Sequence, residues 1–157
     1  MKSFKTKMLL VCICVASFLG ANAQSAKDIF SADAITYLGV DFTKAKLLGE
    51  PAAYMPDVKN KHFPAISALP IVEPKKYKLD EYFHVGTVTD DLSVSDARNA
   101  KISEDQIKST DVGDMSRLTE KDIQAIAPSY KLAGKKGIGV VFIVEALSKT
   151  VEKGAAT

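Results

Sequence analysis

The chain contains little cysteine, and none beyond position 14. Cys12 and Cys14 are its only two cysteines, and both lie in an apolar run near the start of a 157-residue sequence. If this first segment is removed during export, the protein that remains has no thiol. Disulfide bonds, thiolate metal sites and a cysteine nucleophile are then excluded, and packing alone must stabilise the fold.

The sequence also lacks an apolar run long enough to span a membrane. The run at 8–19 has 12 residues, whereas a transmembrane helix needs about 20. Lysines precede this run and the small residues Ala21, Asn22 and Ala23 follow it, which predicts a cleaved signal peptide over 1–23. No cysteine follows a small residue at the cleavage point, so we expect neither a lipid anchor nor a transmembrane anchor in the mature chain.

Excess charge of one sign is missing from the expected mature chain. Loss of three lysines lowers the 21 basic residues to 18, against 19 acidic ones, so the net charge falls from +2 to −1. Nucleic-acid binding, or attraction to anionic lipid, requires a broad positive field that such a chain does not have. The size suits a single globular domain over 34–157, preceded by a flexible lead-in over 24–33.

Two segments have the composition of buried strands. Residues 34–42 are rich in β-branched and aromatic residues without clean alternation, which predicts a central strand covered on both faces. Gly39 within it predicts either a bulge or the close approach of a neighbour. Residues 138–144 include five consecutive large apolar residues and predict the central buried strand. We expect 145–157 to form a frayed helix or a tail.

The elements between these strands are expected to be short. Five prolines between positions 51 and 74 limit any helix there, and we expect one from about Phe63 to Leu69. A further helical turn is predicted over 77–83 and a half-buried strand over 85–89.

Two hexapeptides predict helix starts. Ser103 and Thr119 are each followed three residues later by a side chain that can complete a capping box, and apolar residues flank both. Pro128 predicts that the second helix ends near Ala127. The fold class is therefore α/β or α+β: a single small domain with a mainly apolar sheet covered by short helices.

Three segments together resemble a family of small secreted bacterial proteins of unknown function. They are Ile35–Lys44, Glu73–Tyr77 and Gly137–Glu145. The resemblance implies a further strand and a C-terminal helix after the part that matches Val140–Glu145, so it implies a chain whose C-terminal part is missing. It implies no activity and no residue roles.

No motif predicts a metal or a cofactor. His62 and His84 are the only histidines, and nothing in the spacing selects a third ligand such as Asp80 or Glu81. Residues 110–114 fit a calcium loop only in part. The glycine-lysine segment at 134–139 precedes a strand, whereas a phosphate-binding P-loop follows one.

One cluster is a candidate contact site for a ligand or partner. Lys75, Lys76 and Lys78 surround Tyr77 and could touch an acidic glycan, a phosphate head group or a partner protein. The alternative is surface charge beside a buried tyrosine.

The sequence thus favours an exported, non-catalytic protein of the bacterial envelope or periplasm that binds a partner protein or a ligand, with envelope proteins and glycans as candidate partners. Its final compartment would be the periplasm, the cell surface or the medium. One alternative is a small secreted hydrolase in which carboxylates such as Asp90, Asp111, Asp114 and Glu145 converge in the fold. The other is an incomplete fragment with no activity of its own.

Overall fold

The computed structural model describes residues 31–132, 137–148 and 153–156. From Ala32 onward they belong to one compact unit, Ala32–Thr157. The predicted signal peptide and most of the predicted lead-in lie outside the described residues. So do residues 134–136 of the glycine-lysine segment.

Six strands form one mixed sheet within the described residues. They are β1 (Ala34–Asp41), β2 (Lys46–Leu48), β3 (Thr87–Asp90), β4 (Lys108–Ser109), β5 (Ile138–Ser148) and β6 (Lys153–Ala156). β5 pairs in parallel with both β1 and β2, which in turn pair in parallel with β3 and β4. β6 pairs with β5 in the antiparallel direction. The predicted strands at 34–42 and 138–144 are therefore confirmed, and the strand expected at 85–89 lies at Thr87–Asp90.

The bulge predicted at Gly39 is present. The pairing of β1 with β5 shifts register between Tyr37 and Val40, and Gly39 has a φ of +90°, which favours glycine. A Cβ at this position would lie 2.3 Å from the Ser95 hydroxyl oxygen and 2.7 Å from that of Ser67. The absent side chain therefore lets two buried serines approach the central strand.

The expectation of a frayed helix or tail over 145–157 is wrong for the described residues. β5 continues to Ser148, and Lys153–Ala156 forms β6. Ala146 is fully buried and pairs with both β2 and β6. Neighbouring strands thus satisfy the backbone of this segment, which keeps it extended.

Short helices cover the sheet. They are α1 (Met55–Asp57), α2 (Phe63–Val72), α3 (Pro74–Tyr77), α4 (Leu79–Phe83), α5 (Ser93–Asn99) and α6 (Glu120–Ile126). A π-helical segment, Val58–His62, joins α1 to α2. The helix expected to end near Leu69 continues past Pro70 to Val72, and the turn expected over 77–83 is divided between α3 and α4.

Two clusters of apolar residues lie against the sheet. In the first, Phe63 of α2 stacks on Phe42 with a ring-centroid distance of 4.0 Å, beside Val144 of β5. In the second, Val94 of α5 and Ile126 of α6 pack with further residues, including Leu38, Tyr130 and Ile143. Helices that cover a largely parallel sheet confirm the α/β class.

The helix expected to begin at Ser103 is wrong. Only a three-residue 3-10 turn, Glu104–Gln106, follows Ser103, whose side chain makes no capping hydrogen bond. The buried Ile107 accepts a hydrogen bond from the N–H of Leu47, and β4 begins at the next residue. Pairing with β2 therefore holds this segment in an extended conformation where the helix was expected.

The helix start at Thr119 is confirmed. The Thr119 hydroxyl accepts a hydrogen bond from the N–H of Asp122, and the Asp122 carboxylate accepts one from the N–H of Thr119, as a capping box requires. α6 ends at Ile126, and a 3-10 turn that contains Pro128 follows it.

Candidate functional site

The carboxyl end of β1 holds a buried carboxylate, Asp41. Its Oδ2 atom accepts hydrogen bonds of 2.7 Å from the Arg98 Nε–H and from the Tyr130 hydroxyl. Its Oδ1 atom accepts one of 2.8 Å from the N–H of Thr43. Because Asp41 is 0% exposed, these three donors replace the water that the carboxylate loses on folding.

The protonation states in this network are set by burial and hydrogen bonding. Burial acts to raise the pKa of Asp41, but the hydrogen bonds from Thr43, Tyr130 and Arg98 outweigh it and hold the pKa below its usual value. Burial, together with the bond to Asp41, raises the pKa of Tyr130. The structure therefore holds an ionised carboxylate beside a protonated phenol.

α5 carries the two side chains that connect this end of β1 to its surroundings. Besides Asp41, the Arg98 guanidinium donates 2.5 Å and 3.2 Å hydrogen bonds to the hydroxyls of Ser129 and Thr43, and it lies 4.7 Å from the centre of the Tyr130 ring. The side-chain oxygen of the neighbouring Asn99 accepts a hydrogen bond from the N–H of Phe42, and its amide nitrogen donates one to the carbonyl of Val40. Arg98 is thus held in one position, with its side chain 20% exposed.

Beside Arg98 lies a cavity of about 530 Å³, which we call the β1-end cleft. Its polar lining consists of Thr43, Ser93, Arg98, Lys101, Gln106, Ser129 and Lys131, and its apolar lining of Val94, Ala97 and Ile102. Three cationic side chains and no carboxylate of the described chain line it. Ligands of open α/β sheets bind outside the carboxyl ends of the strands, which is where this cleft lies.

A second cavity, of about 690 Å³, lies beside β3, and we call it the β3 cleft. Its charged lining is Lys75, Lys78, Asp80, Glu81 and Asp90; its other lining residues are Tyr37, Pro70, Ile71, Pro74, Leu79, Gly86, Val88 and Thr89. Fully buried Tyr37 donates a 2.9 Å hydrogen bond to the carbonyl of Ser67, and burial raises its pKa to about 12. This cleft has a mixed charge and a larger apolar share than the β1-end cleft.

The structure divides the cluster predicted from sequence. Lys75 and Lys78 line the β3 cleft. Lys76 pairs with Glu73 at 3.2 Å and lies 5.3 Å from the centre of the half-buried Tyr77 ring, and its hydrogen bond to Glu73 raises its pKa. A role for Lys75, Lys76, Tyr77 and Lys78 in contacting a ligand stays a prediction.

The carboxylates considered for a hydrolase have different surroundings. Asp90 lines the β3 cleft, whereas Asp111 accepts a hydrogen bond from the N–H of Gly113 in a 3-10 turn. Asp114 pairs with Arg117 at 3.1 Å, and buried Glu145 accepts a hydrogen bond from the N–H of Leu118.

The histidines lie on different segments. His62 ends the π-helical segment, and His84 follows α4 with a φ of +54°. Within the described ranges no group of three or more histidine, cysteine or acidic side chains could hold a metal ion.

Sequence reasoning missed Asp41, Arg98 and Tyr130. An aspartate at the end of an otherwise apolar strand is a signal that could have indicated a buried charge, since such a residue requires partners. Nothing local indicated that those partners would come from positions 98 and 130.

None of the helices in the described part of the chain has the length and apolar character needed to cross a membrane. No family model matches the chain, and comparison with curated proteins and with solved structures gave no match. The two clefts are therefore the features from which a function can be inferred.

Proposed function

We propose that the protein is an exported, non-catalytic binding protein that takes a small anionic ligand in the β1-end cleft. The observation that carries this proposal is the lining of the cleft, with Arg98, Lys101 and Lys131 and no carboxylate of the described chain. The ligand class is a carboxylate or a phosphate, the two anions whose geometry suits a guanidinium.

Arg98 is prepared for such a ligand. A guanidinium has five N–H donors, and the contacts to Asp41, Ser129 and Thr43 use one on each nitrogen. One N–H on each terminal nitrogen is left without a protein acceptor in the described chain. Because Asp41 and Tyr130 already fix the side chain, little conformational entropy is lost when an anion binds.

The two lysines of the cleft supply net charge. The charge of Arg98 is balanced by Asp41, whereas Lys101 and Lys131 are exposed and have no ion-pair partner among the residues described. Thr43, Ser93 and Gln106 add neutral groups that can bind hydroxyls of a ligand. A cleft of about 530 Å³ suits a small molecule.

The surroundings of the hydroxyls support a binding role over catalysis. No histidine of the described chain lines the cleft, and Asp91, the carboxylate to which the Ser93 hydroxyl donates, also accepts from the Ser93 N–H in a local turn. The Ser129 hydroxyl donates to the carbonyl of Ile126 and accepts from Arg98, so it is already engaged. The signal-peptide pattern at 1–23 supports export to the envelope or periplasm.

Isothermal titration calorimetry at low ionic strength tests the proposal. The probes are inorganic phosphate, citrate and glucuronate, with glucose as the neutral comparison. We expect saturable binding of at least one anion and none of glucose, with affinity that decreases as salt is added.

A pair of double variants locates the site. Lys101→Gln with Lys131→Gln should weaken anion binding at least about tenfold, because both unpaired cations are removed. Lys75→Gln with Lys76→Gln removes the same charge at residues that do not line the β1-end cleft and should leave binding unchanged. Equal losses in the two double variants would contradict the proposal, as would the absence of anion binding by the unchanged protein.

A further inference from the structure

β3 is an edge strand whose outer backbone groups have no partner in the described chain. The N–H groups of Thr87 and Asp91 donate to the carbonyls of Asp33 and Tyr37 at 3.1 Å and 2.9 Å, so these residues face β1. Because the direction of backbone groups alternates along a strand, Val88 and Asp90 direct their N–H and C=O groups to the outer edge.

The same two residues line the β3 cleft. Free backbone groups and a cavity of about 690 Å³ are therefore adjacent. Pro70 and Ile71 of α2 and Leu79 of α4 form apolar walls opposite β3. Extended peptides bind by adding a strand to an exposed sheet edge, with adjacent pockets that take alternate side chains.

We propose that the β3 cleft binds an extended peptide segment, which pairs with the outer edge of β3 and places an apolar side chain in the cavity. Pairing with Val88 and Asp90 satisfies their N–H and C=O groups. Side chains of an extended peptide alternate between faces, so residues on either side of the inserted one point away from the cavity.

The charges of the cleft select the residues that flank the apolar side chain. The Lys78 ammonium binds both carboxylate oxygens of Glu81, at 2.9 Å and 3.0 Å, and this pair is neutral. Asp80 and Asp90 then outnumber Lys75 among the remaining charged lining residues. The peptide class is therefore one that alternates apolar and basic residues.

The edge lacks two common protections against pairing. Edge strands in soluble proteins are commonly protected by lysine or proline, and Thr87–Asp90 contains neither. This proposal concerns a site separate from the anion cleft and does not depend on it.

Fluorescence anisotropy with a labelled, end-capped hexapeptide of alternating valine and lysine tests the proposal. Two matched peptides carry N-methyl groups, one on the valines and the other on the lysines. A strand uses alternate N–H groups for one edge, and a slip of one residue would turn the valines away from the cavity. We therefore expect saturable binding of the parent peptide. One methylated peptide should bind with an affinity lower by about tenfold or more, and the other should bind like the parent.

Two protein variants place the peptide. Ile71→Asp introduces charge into the cavity and should reduce binding, whereas Val72→Asp, at an adjacent residue 68% exposed and outside the lining, should not. Equal binding of all three peptides would overturn the proposal and would indicate that the cavity takes a side chain without strand pairing. No saturable binding of the parent peptide, or equal effects of the two aspartates, would also overturn it.

Discussion

The two clefts differ in how the fold supports them. The β1-end cleft lies beside a central strand and rests on Asp41, whose charge is fully buried and bound by three donors. The β3 cleft lies beside an edge strand, and its walls are short helices that contain Pro70 and Pro74. Positive φ angles at Lys78 and His84 mark the ends of α4 in the same wall.

This difference indicates two kinds of recognition. A buried carboxylate such as Asp41 is costly to desolvate, but its pair with Arg98 holds that side chain in place for a small ligand. An unpaired strand edge with an apolar cavity needs no such network, because the backbone of a peptide supplies the hydrogen bonds. Variants that weaken one support and leave the other unchanged test whether the two clefts are stabilised independently.

The largest effect is expected from Asp41→Asn. It leaves Arg98 partly buried without its carboxylate, and we expect a loss of about 3 kcal/mol in the free energy of unfolding, measured with urea. Asp57→Asn is the control, since its pair with Lys61 is exposed and should contribute under about 1 kcal/mol. Similar losses for both would show that the buried network does not support the β1-end cleft.

Gly39→Ala should have the next largest effect. Gly39 lies between Ser67 of α2 and Ser95 of α5, which belong to helices that line different clefts. We expect a loss of about 2 kcal/mol or more from strain and crowding together. Gly137→Ala has the same φ of +90° but no atom within 4 Å of the added Cβ, so it should show the strain alone. Equal losses in urea unfolding would indicate that crowding at the bulge is unimportant.

Much of the fold could be predicted from local sequence patterns, but the remaining elements depend on pairing between strands that are distant in sequence. Consecutive apolar residues identified β1 and β5, and the Thr119 capping box identified α6, because each signal lies within the element itself. The helix expected at Ser103 is absent because Lys108 pairs with Leu47 of β2, 61 positions earlier, and so belongs to β4. The continuation of β5 beyond Val144 depends likewise on β2 and β6.

The candidate site was less predictable than the fold. Lys75 and Lys78 were identified because they cluster in sequence, and they line one cleft. The Asp41, Arg98 and Tyr130 network joins positions up to 89 residues apart. Such a site becomes apparent only when tertiary packing brings α5 and the segment after α6 to the end of β1.

A smaller effect is expected from Tyr130→Phe, and it depends on pH. The folded pKa of Asp41 lies below its unfolded value, so its stabilising contribution is present above the unfolded value, about 3.9, and is lost as pH falls through the folded pKa. Removing the Tyr130 donor raises the folded pKa of Asp41 toward that value. We therefore expect a loss of about 1 kcal/mol at neutral pH and acid unfolding at a higher pH, measured by circular dichroism.

Tyr37→Phe makes the same chemical change below the β3 cleft. The Tyr37 hydroxyl donates to the Ser67 carbonyl and, among the described residues, to no carboxylate. We expect a similar loss at neutral pH and an unchanged acid midpoint. An equal shift of the acid midpoint in both variants would contradict the role given to Tyr130.

The most direct measurement is an NMR titration with inorganic phosphate, followed at the Arg98 side-chain Nε–H and at the backbone amides of both clefts. We predict saturable shifts at Arg98, Lys101 and Lys131, with the signals of Lys75 and Lys78 unchanged. Saturable shifts confined to Lys75 and Lys78, or shifts at Arg98 that grow linearly without saturation, would contradict an anion site at the end of β1.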